Sequence, residues 1–370
     1  MYKILIACAS LIAVSCNDAD APKTNSDSSA TSTATPDTMK SGLPDPKGPR
    51  PAWGPSLTNE MQVIMEKLAS YGAPPIETLT PQEARKNPTP TTAVLDLVKE
   101  NNIPMPPPVA DTMGKDIPVA GGSIHARIYT PKGAGPFPVI VYYHGGGWVI
   151  ADLDTYDASA RGLAEQANAV VVSVHYRQAP EFKFPTAHND AFAAYQWVWK
   201  NLQSLKGDSM VAVVGESAGG NLAANVSIMA RDKKLPLPVR QVLIYPVASD
   251  DMNSESYVKN AAAKPLNKPM MEWFAKTYLP SMASASDPRI ALVKANLKGL
   301  PPTTIITAEI DPLQSDGMLL RDKLKDAGVE VNYKNYVGVT HEFYGMAILV
   351  PEAKDAQALV AADLKASFKK

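Results

Sequence analysis

Residues 210–221 read Met-Val-Ala-Val-Val-Gly-Glu-Ser-Ala-Gly-Gly-Asn, an apolar, β-branched run that breaks at glycine and continues with helix-forming residues. This order predicts a strand, a tight turn and a helix, with Ser217 at the tip of the turn. Glycines on both sides of the serine leave room for a cramped backbone. The new helix N-terminus directs amide groups and the positive end of its dipole toward whatever the serine oxygen attacks. Ser217 is therefore a candidate nucleophile.

A second strand-like run, at residues 138–143, ends at His144-Gly145-Gly146-Gly147. Successive glycines let main-chain N–H groups turn toward a ligand, which side chains would obstruct. A carbonyl attacked by Ser217 develops negative charge on its oxygen, and the loss of one fixed donor to that oxygen costs about 3 kcal/mol of barrier. An ordinary glycine turn is the alternative for this motif alone. Its pairing with the serine turn favours an oxyanion hole.

A hydroxyl becomes a good nucleophile only when a base takes its proton and a carboxylate orients that base. On a strand-turn-helix serine of this kind, the chain order is serine, then Asp or Glu, then histidine. Of the five histidines, only His341 follows Ser217. A strand-like run that ends at Asp311 makes this residue the preferred acid. Glu309 shares a face with Asp311 on an extended segment and is the main competitor, and Asp316 is a further one.

These motifs resemble those of the hormone-sensitive lipase-like family of α/β-hydrolase esterases, also called family IV. The resemblance covers the chain from about residue 117 onward. The histidine-glycine motif resembles the family's H-G-G-G, and Gly215-Glu-Ser-Ala-Gly-Gly resembles its G-D-S-A-G-G. Further ordered matches are Asp152-Leu-Asp-Thr-Tyr-Asp, Tyr176-Arg-Gln-Ala-Pro-Glu, Phe184-Pro, Asp311-Pro-Leu and His341-Glu-Phe.

The resemblance implies roles for individual residues. It implies Ser217 as nucleophile, Asp311 as acid and His341 as base. The backbone N–H groups of Gly146, Gly147 and Ala218 would form the oxyanion hole.

Four further positions adjoin these residues in the sequence, and the resemblance bears on each. His144 and Gly145 would support the glycine loop, and Glu216 fills the place of the family's aspartate beside the nucleophile. Glu342 stands where the family usually has glycine, beside the base. A close, poorly solvated carboxylate would raise the pKa of His341, whereas an outward-pointing one would change little. Both readings stay open.

Composition limits the partners and cofactors. A chain of 370 residues with 45% hydrophobic content can bury a large core, and its net charge of −1 gives no argument for nucleic-acid binding. Both cysteines, Cys8 and Cys16, precede the folded region, and the histidines lack metal-ligand spacing. We expect no metal, no cofactor and a small-molecule ester as partner. Homodimer formation stays open.

The N-terminal residues 1–16 predict an export signal. One lysine precedes an apolar stretch that is too short for a membrane anchor, and the stretch ends in Ala-Val-Ser-Cys16, which resembles a bacterial lipoprotein processing site. Ala13 replaces the more usual leucine, so unanchored secretion is the alternative. Residues 17–50, rich in Ser, Thr and Pro, predict a disordered linker. We therefore expect an exported protein, tethered to the membrane through a lipid on Cys16 in the periplasm or at the cell surface.

Strand-like and helix-like segments alternate along the rest of the chain, which predicts the α/β-hydrolase fold: a doubly wound, mostly parallel sheet with a helical cap. Residues 51–112 would supply cap helices, and residues 113–370 the catalytic domain with a cap insertion at about 250–286. The expected function is hydrolysis of small carboxylic esters with short to medium acyl or aryl groups. Amide, lactone or carbohydrate-acetyl hydrolysis on the same triad is the alternative. A non-catalytic surface binding protein is disfavoured by the intact triad. Strand-like runs lie at about 124–130, 138–143, 169–175, 211–214, 240–245, 303–308 and 330–336.

Overall fold

The computed structural model describes residues 42–108 and 110–369, so the predicted export signal, with Cys8 and Cys16, and most of the predicted linker lie outside the described residues. The described part contains an eight-stranded sheet with the strand order β1-β2-β4-β3-β5-β6-β7-β8. The strands are β1 (Asp111–Val119), β2 (Gly122–Thr130), β3 (Phe137–Tyr143), β4 (Val170–His175), β5 (Gly207–Glu216), β6 (Gln241–Ile244), β7 (Thr303–Ile310) and β8 (Val331–Thr340).

The sheet is parallel from β4 to β8 in its spatial order, whereas β1 and β2 are antiparallel additions at one edge. Each of the seven predicted strand-like runs corresponds to one of the strands β2 to β8. The prediction of a doubly wound, mostly parallel sheet is confirmed. Strand β1 was not predicted, because its first six residues are exposed and carry no apolar alternation.

Helices cover both faces of the sheet. The described residues contain ten α-helices. None of the described helices is both long and apolar enough to cross a bilayer. The helices are α1 (Asn59–Ser70), α2 (Pro81–Ala84), α3 (Pro90–Glu100), α4 (Asp157–Ala167), α5 (Thr186–Asn201), α6 (Ala218–Asp232), α7 (Glu255–Lys259), α8 (Lys268–Tyr278), α9 (Gln314–Asp326) and α10 (Pro351–Phe368).

The core has two layers because side chains alternate across a strand. Val139 and Val141 of β3 face the cluster that contains residues of α5, α6 and α9. Ile140 and Tyr142 of the same strand face the opposite cluster, which contains residues of α1, α3, α4 and α10. A sheet buried on both faces explains why its central strands read as continuous apolar runs rather than alternating ones.

The N-terminal helices pack against the last strand of the sheet. The side chain of Thr58 caps α1 by accepting a hydrogen bond from the Met61 N–H, at 3.3 Å. The Thr58 N–H donates to the Gly338 carbonyl at 2.9 Å, and the hydroxyl of Thr340 contacts the Met61 sulfur at 3.3 Å. The N-terminal segment thus packs on the strand that leads to His341.

Candidate active site

Ser217 lies at the carboxyl end of the central strand β5, immediately before α6, at φ 58° and ψ −119°. A side chain on Gly215 would overlap the Gly219 carbonyl oxygen, and one on Gly219 would overlap the carbonyl oxygen of Tyr143. Both positions therefore require glycine, as the sequence motif implies. The strained serine conformation projects the side chain away from the strand, which is typical of a nucleophile held by its surroundings.

Parallel strands bring their carboxyl ends to one edge of the sheet, and three predicted residues meet there. Ser217 Oγ lies 3.0 Å from His341 Nε2, and His341 Nδ1 lies 2.7 Å from Asp311 Oδ2. The other carboxylate oxygen of Asp311 accepts the Leu313 N–H at 2.9 Å. The hydrogen bonds form one line from hydroxyl to imidazole to carboxylate, so a proton leaving the serine has an acceptor that is already oriented.

The two competing carboxylates are engaged elsewhere. Glu309 accepts hydrogen bonds from the Ser56 hydroxyl at 3.0 Å and from the Gly338 N–H at 2.9 Å. Asp316 accepts the main-chain N–H groups of Ala248 and Ser249, at 2.9 and 2.8 Å. In the described chain neither carboxylate hydrogen-bonds to His341. The register of β7 against β8 shifts between residues 308 and 310, so the simple alternation that grouped Glu309 with Asp311 does not hold there.

His341 is buried, with a relative exposure of 3%. Burial by itself lowers the pKa of this imidazole, but the Asp311 carboxylate and the charges of Glu342 and Glu216 outweigh it, so the pKa of His341 is raised. The Tyr245 ring packs against the imidazole, with 4.4 Å between ring centroids. His341 is therefore held by a carboxylate and an aromatic ring, in surroundings that favour its protonated form.

Glu342 has left-handed backbone angles, with φ 71° and ψ 2°. This conformation accounts for the family's glycine at the equivalent position, because glycine adopts it without strain. The Tyr156 hydroxyl donates a hydrogen bond to Glu342 Oε1 at 2.6 Å. Burial raises the pKa of Glu342, against the lowering effects of His341 and of the Tyr156 hydrogen bond. Of the two readings left open by the sequence, the structure shows the carboxylate close to the base.

Glu216, the residue before Ser217, is buried, and it accepts a hydrogen bond from Tyr142 at 2.6 Å and another from Tyr245. Burial raises the pKa of Glu216 to about 7, against the lowering effect of these hydrogen bonds. Sequence reasoning missed Tyr156 and Tyr245 as neighbours of the site. Tyr156 carried a signal, since it lies in the stretch Asp152-Leu-Asp-Thr-Tyr-Asp that resembles a family motif, whereas Tyr245 carried only its place at the end of a predicted strand.

The glycine loop lies against the nucleophile. Gly146 and Gly147 have φ of 94° and 58°. A side chain on Gly145 would overlap the Tyr156 hydroxyl, and one on Gly146 would overlap the carbonyl oxygen of residue 150. Gly146 and Gly147 line the same cavity as Ser217, and Ala218 is the first residue of α6. The three predicted oxyanion donors therefore belong to segments that adjoin Ser217.

His144 is fully buried beneath this loop. One ring nitrogen, Nδ1, lies 2.8 Å from the Gly145 carbonyl, and the ring stacks on Tyr176 with 4.5 Å between centroids. Burial lowers the pKa of His144 to about 3, so the ring is neutral at physiological pH. A neutral ring held by a main-chain oxygen and an aromatic face fits the structural role that the resemblance implies.

A cavity of about 430 Å³ opens onto Ser217 and His341. Its lining combines apolar and polar residues. The segment predicted as the cap insertion contributes apolar side chains, which include Met252, Tyr257, Leu266, Met270, Met271 and Phe274. The polar lining residues include Arg85, Asn87, Asp152, Gln178 and Glu342. Among residues 42–108 and 110–369, no group of three His, Cys, Asp or Glu side chains is arranged to hold a metal ion.

A serine, a base and an acid at the strand ends of such a sheet define the class of α/β-hydrolases. Residues 140–345 match a family model described as the alpha/beta hydrolase fold. Carboxylesterase NlhH of Mycobacterium tuberculosis is 40% identical over 256 residues, which span 68% of this chain and 78% of that protein. The ethyl acetate hydrolase of Pseudomonas putida is 34% identical over 246 residues, or 65% of this chain and 77% of that protein.

Among solved structures, the chain is again similar to esterases. An esterase of Pyrobaculum calidifontis has a TM-score of 0.73 and 38% identity, covering 78% of this chain and 94% of its own. A thermostable esterase of Pseudomonas putida has a TM-score of 0.77 and 32% identity, covering 85% of this chain and 98% of its own. The chain therefore belongs to the α/β-hydrolase family, and its predicted place among the hormone-sensitive lipase-like esterases is confirmed.

Proposed function

We propose that the protein is a serine carboxylesterase that hydrolyses small carboxylic esters with short to medium acyl or aryl groups. The observation that carries the proposal is the hydrogen-bonded line from Ser217 through His341 to Asp311, whose serine and histidine line a cavity. Relatives named as a carboxylesterase and an ethyl acetate hydrolase support the reaction type.

The proposed reaction proceeds in two similar halves. His341 Nε2 takes the proton of Ser217 as the serine oxygen attacks the ester carbonyl, and Asp311 stabilises the imidazolium that forms. The N–H groups of Gly146, Gly147 and Ala218 stabilise the negative carbonyl oxygen. His341 then gives its proton to the leaving alcohol, and the acyl group stays on Ser217. Water, deprotonated by the same histidine, releases the acid and restores the serine.

The cavity supports small substrates. About 430 Å³ lies near the lower end of the range for small-molecule sites. Met270, Met271 and Phe274 of α8 provide flexible and flat apolar surfaces, which suit an alkyl or aryl group. We expect activity to rise from acetyl to a short or medium chain and then to fall as the acyl group outgrows this wall.

Related acyl transfers on the same triad are the second candidate. Amides, lactones and acetylated carbohydrates also pass through a tetrahedral oxyanion, so the triad alone does not separate them from esters. The names of the relatives favour esters. A non-catalytic binding protein would have no use for a strained serine within 3.0 Å of a histidine, which argues against that reading.

The test is hydrolysis of p-nitrophenyl esters of increasing acyl length by wild type and by Ser217→Ala, with p-nitroacetanilide and acetylated xylose in parallel. Ester turnover by wild type and a loss of roughly 10⁵-fold in the variant are expected. Absence of ester turnover by folded wild type would falsify the proposal. Activity that survives in the variant would instead remove Ser217 as nucleophile.

We also propose that the protein is exported and anchored through a lipid on Cys16, on the basis of the sequence of residues 1–16. Metabolic labelling with a radioactive fatty acid should mark wild type but not Cys16→Ser. Labelling of neither protein, with both released from cells, would support plain secretion. A homodimer remains a proposal, and sedimentation equilibrium of the purified protein tests it.

A further inference from the structure

The alcohol side of the substrate has a fixed place in the proposed reaction. His341 Nε2 must come within hydrogen-bond distance of the leaving ester oxygen to return its proton. The group attached to that oxygen therefore lies beside His341. The next residue, Glu342, forms part of the cavity wall at this place.

The two oxygens of Glu342 have different surroundings. Oε1 accepts the Tyr156 hydroxyl at 2.6 Å. Oε2 has no hydrogen-bond partner in the described chain. This oxygen is also not fully buried. The side chain is only partly buried and lines the cavity. One carboxylate oxygen is thus free to bind a ligand.

No free cation on the cavity wall neutralises this carboxylate. Within the described residues that line the cavity, the one arginine or lysine is Arg85, whose guanidinium is paired with Glu181 at 2.7 Å. The lining residue Asp250 is paired with Lys294 at 2.6 Å. Burial lowers the pKa of the lining residue His175, which keeps its ring neutral.

The remaining charged groups around Glu342 in the described chain do not form a hydrogen bond or an ion pair with Oε2 either. Asp152, which also lines the cavity, accepts hydrogen bonds from the main chain and hydroxyl of Thr155 at 2.9 and 2.8 Å. Glu216 and Asp311 are carboxylates and repel Glu342 rather than pair with it. His341 carries positive charge below its pKa or while it holds the serine proton, and at a pH above that pKa the resting ring is neutral.

A purely structural role explains Glu342 poorly. Tyr156 needs only one acceptor, and glycine would occupy the left-handed backbone at φ 71° with less strain. A strained glutamate that lines the cavity and keeps one carboxylate oxygen without a hydrogen-bond partner in the described chain points to a ligand contact.

We propose that Glu342 selects esters whose alcohol part carries a positively charged or hydroxyl group close to the ester oxygen. Such a group lies against Oε2 while the ester oxygen lies against His341 Nε2. The inference rests on the proposed esterase function and names the substrate class of the same site. Alcohols with neither group are hydrolysed without this contact and therefore less efficiently.

The test compares two matched pairs of butyrate esters at pH 8. Butyrylcholine and 3,3-dimethylbutyl butyrate have the same shape and differ in charge, whereas 2-hydroxyethyl butyrate and propyl butyrate differ in one hydroxyl. The quantity measured is the ratio of kcat/KM values within each pair, for wild type, Glu342→Gln and Glu342→Gly. Asp154→Asn is the matched control, because Asp154 is exposed, pairs with Arg127 at 2.7 Å and is not a lining residue.

Wild type should prefer the charged or the hydroxylated member of a pair by about tenfold, the size expected of a hydrogen bond to a charged group. Glu342→Gln should remove the choline preference and weaken the hydroxyl preference, since the amide oxygen still accepts a hydrogen bond. Glu342→Gly should remove both, and Asp154→Asn should keep both. A choline preference alone identifies charge as the feature recognised, and a hydroxyl preference alone identifies the hydrogen bond.

Two results overturn the inference while leaving the esterase function intact. One is wild-type hydrolysis of all four esters with ratios near one. The other is a preference that both Glu342 variants retain. If the wild type hydrolyses neither these four esters nor any p-nitrophenyl ester, the proposed function and this inference are rejected together.

Discussion

The main-chain N–H of Gly338 donates a hydrogen bond to the carboxylate of Glu309, with 2.9 Å between the nitrogen and the oxygen. Ser56 donates a second one at 3.0 Å. These contacts tie the strand end of Glu309 to the N-terminal segment and to the strand that precedes the histidine. They leave Asp311 as the carboxylate that hydrogen-bonds to His341.

Asp311→Asn should therefore lower kcat by about 10⁴-fold, because the amide no longer holds the histidine tautomer that accepts the serine proton. Glu309→Gln should change kcat less than tenfold and lower the free energy of unfolding by about 1 kcal/mol. Steady-state kinetics on p-nitrophenyl butyrate and urea denaturation measure the two effects. A greater kinetic loss in Glu309→Gln would exchange their assigned roles.

The pH dependence of the rate should follow His341. The histidine acts as a base only when neutral, so kcat/KM falls as the pH drops through its pKa. Because that pKa is raised by Asp311, Glu342 and Glu216 against burial, the acid limb should lie above the ordinary histidine value. Glu342→Gln removes one negative charge and should move the limb to lower pH by about one unit.

The control for this profile is Asp154→Asn, which removes an exposed charge on the same loop as Tyr156. Its acid limb should coincide with that of wild type. An acid limb that stays in place or moves upward in Glu342→Gln would show that the charge of Glu342 does not act on the base.

Stability should also depend on pH through Glu216. Its pKa is raised from 4.5 to about 7 in the folded protein, chiefly by burial, so the folded state binds a proton more tightly than the unfolded chain. The contribution is fully present below pH 4.5 and is lost as the pH rises through about 7. The loss amounts to about 3 kcal/mol at most.

Glu216→Gln carries no proton to lose, so the difference in unfolding free energy between variant and wild type should grow in favour of the variant from pH 5 to pH 8. Urea denaturation at four pH values measures it. The comparison cancels the contribution of Asp316, whose buried carboxyl also has a pKa raised to about 7. A difference that is constant with pH would contradict the prediction.

Gly146→Ala should abolish most activity. The residue has φ 94°, and a side chain would overlap the carbonyl oxygen of residue 150, so the loop must move its N–H groups away from the substrate oxygen. Loss of one oxyanion donor costs about 10²- to 10³-fold in kcat. Gly114→Ala is the control, because its new methyl group meets only the exposed ring of His125 on the outer strands. Comparable losses in the two variants would argue against the oxyanion hole.

The sequence predicted seven of the eight strands, because buried parallel strands are apolar runs that end at glycine, proline or aspartate. It also predicted which serine, histidine and acid meet, since chain order and strand ends constrain them. It did not predict β1, whose exposed residues resemble a loop. The sequence also did not predict the hydrogen bonds of Tyr156 and Tyr245, because their partners lie on other elements and no local pattern encodes them.

The contact between Thr340 and Met61 joins residues that are 279 positions apart in the chain. During synthesis the helix α1 therefore emerges long before the strand on which it packs. Closing such a loop costs conformational entropy before any contact rewards it. A ribosome-bound chain that lacks β8 therefore leaves the apolar side of α1 uncovered and has no histidine beside its serine. The hydrogen-bonded line from Ser217 to Asp311 can form only after His341 has emerged, and until then the exposed apolar surface of α1 favours aggregation.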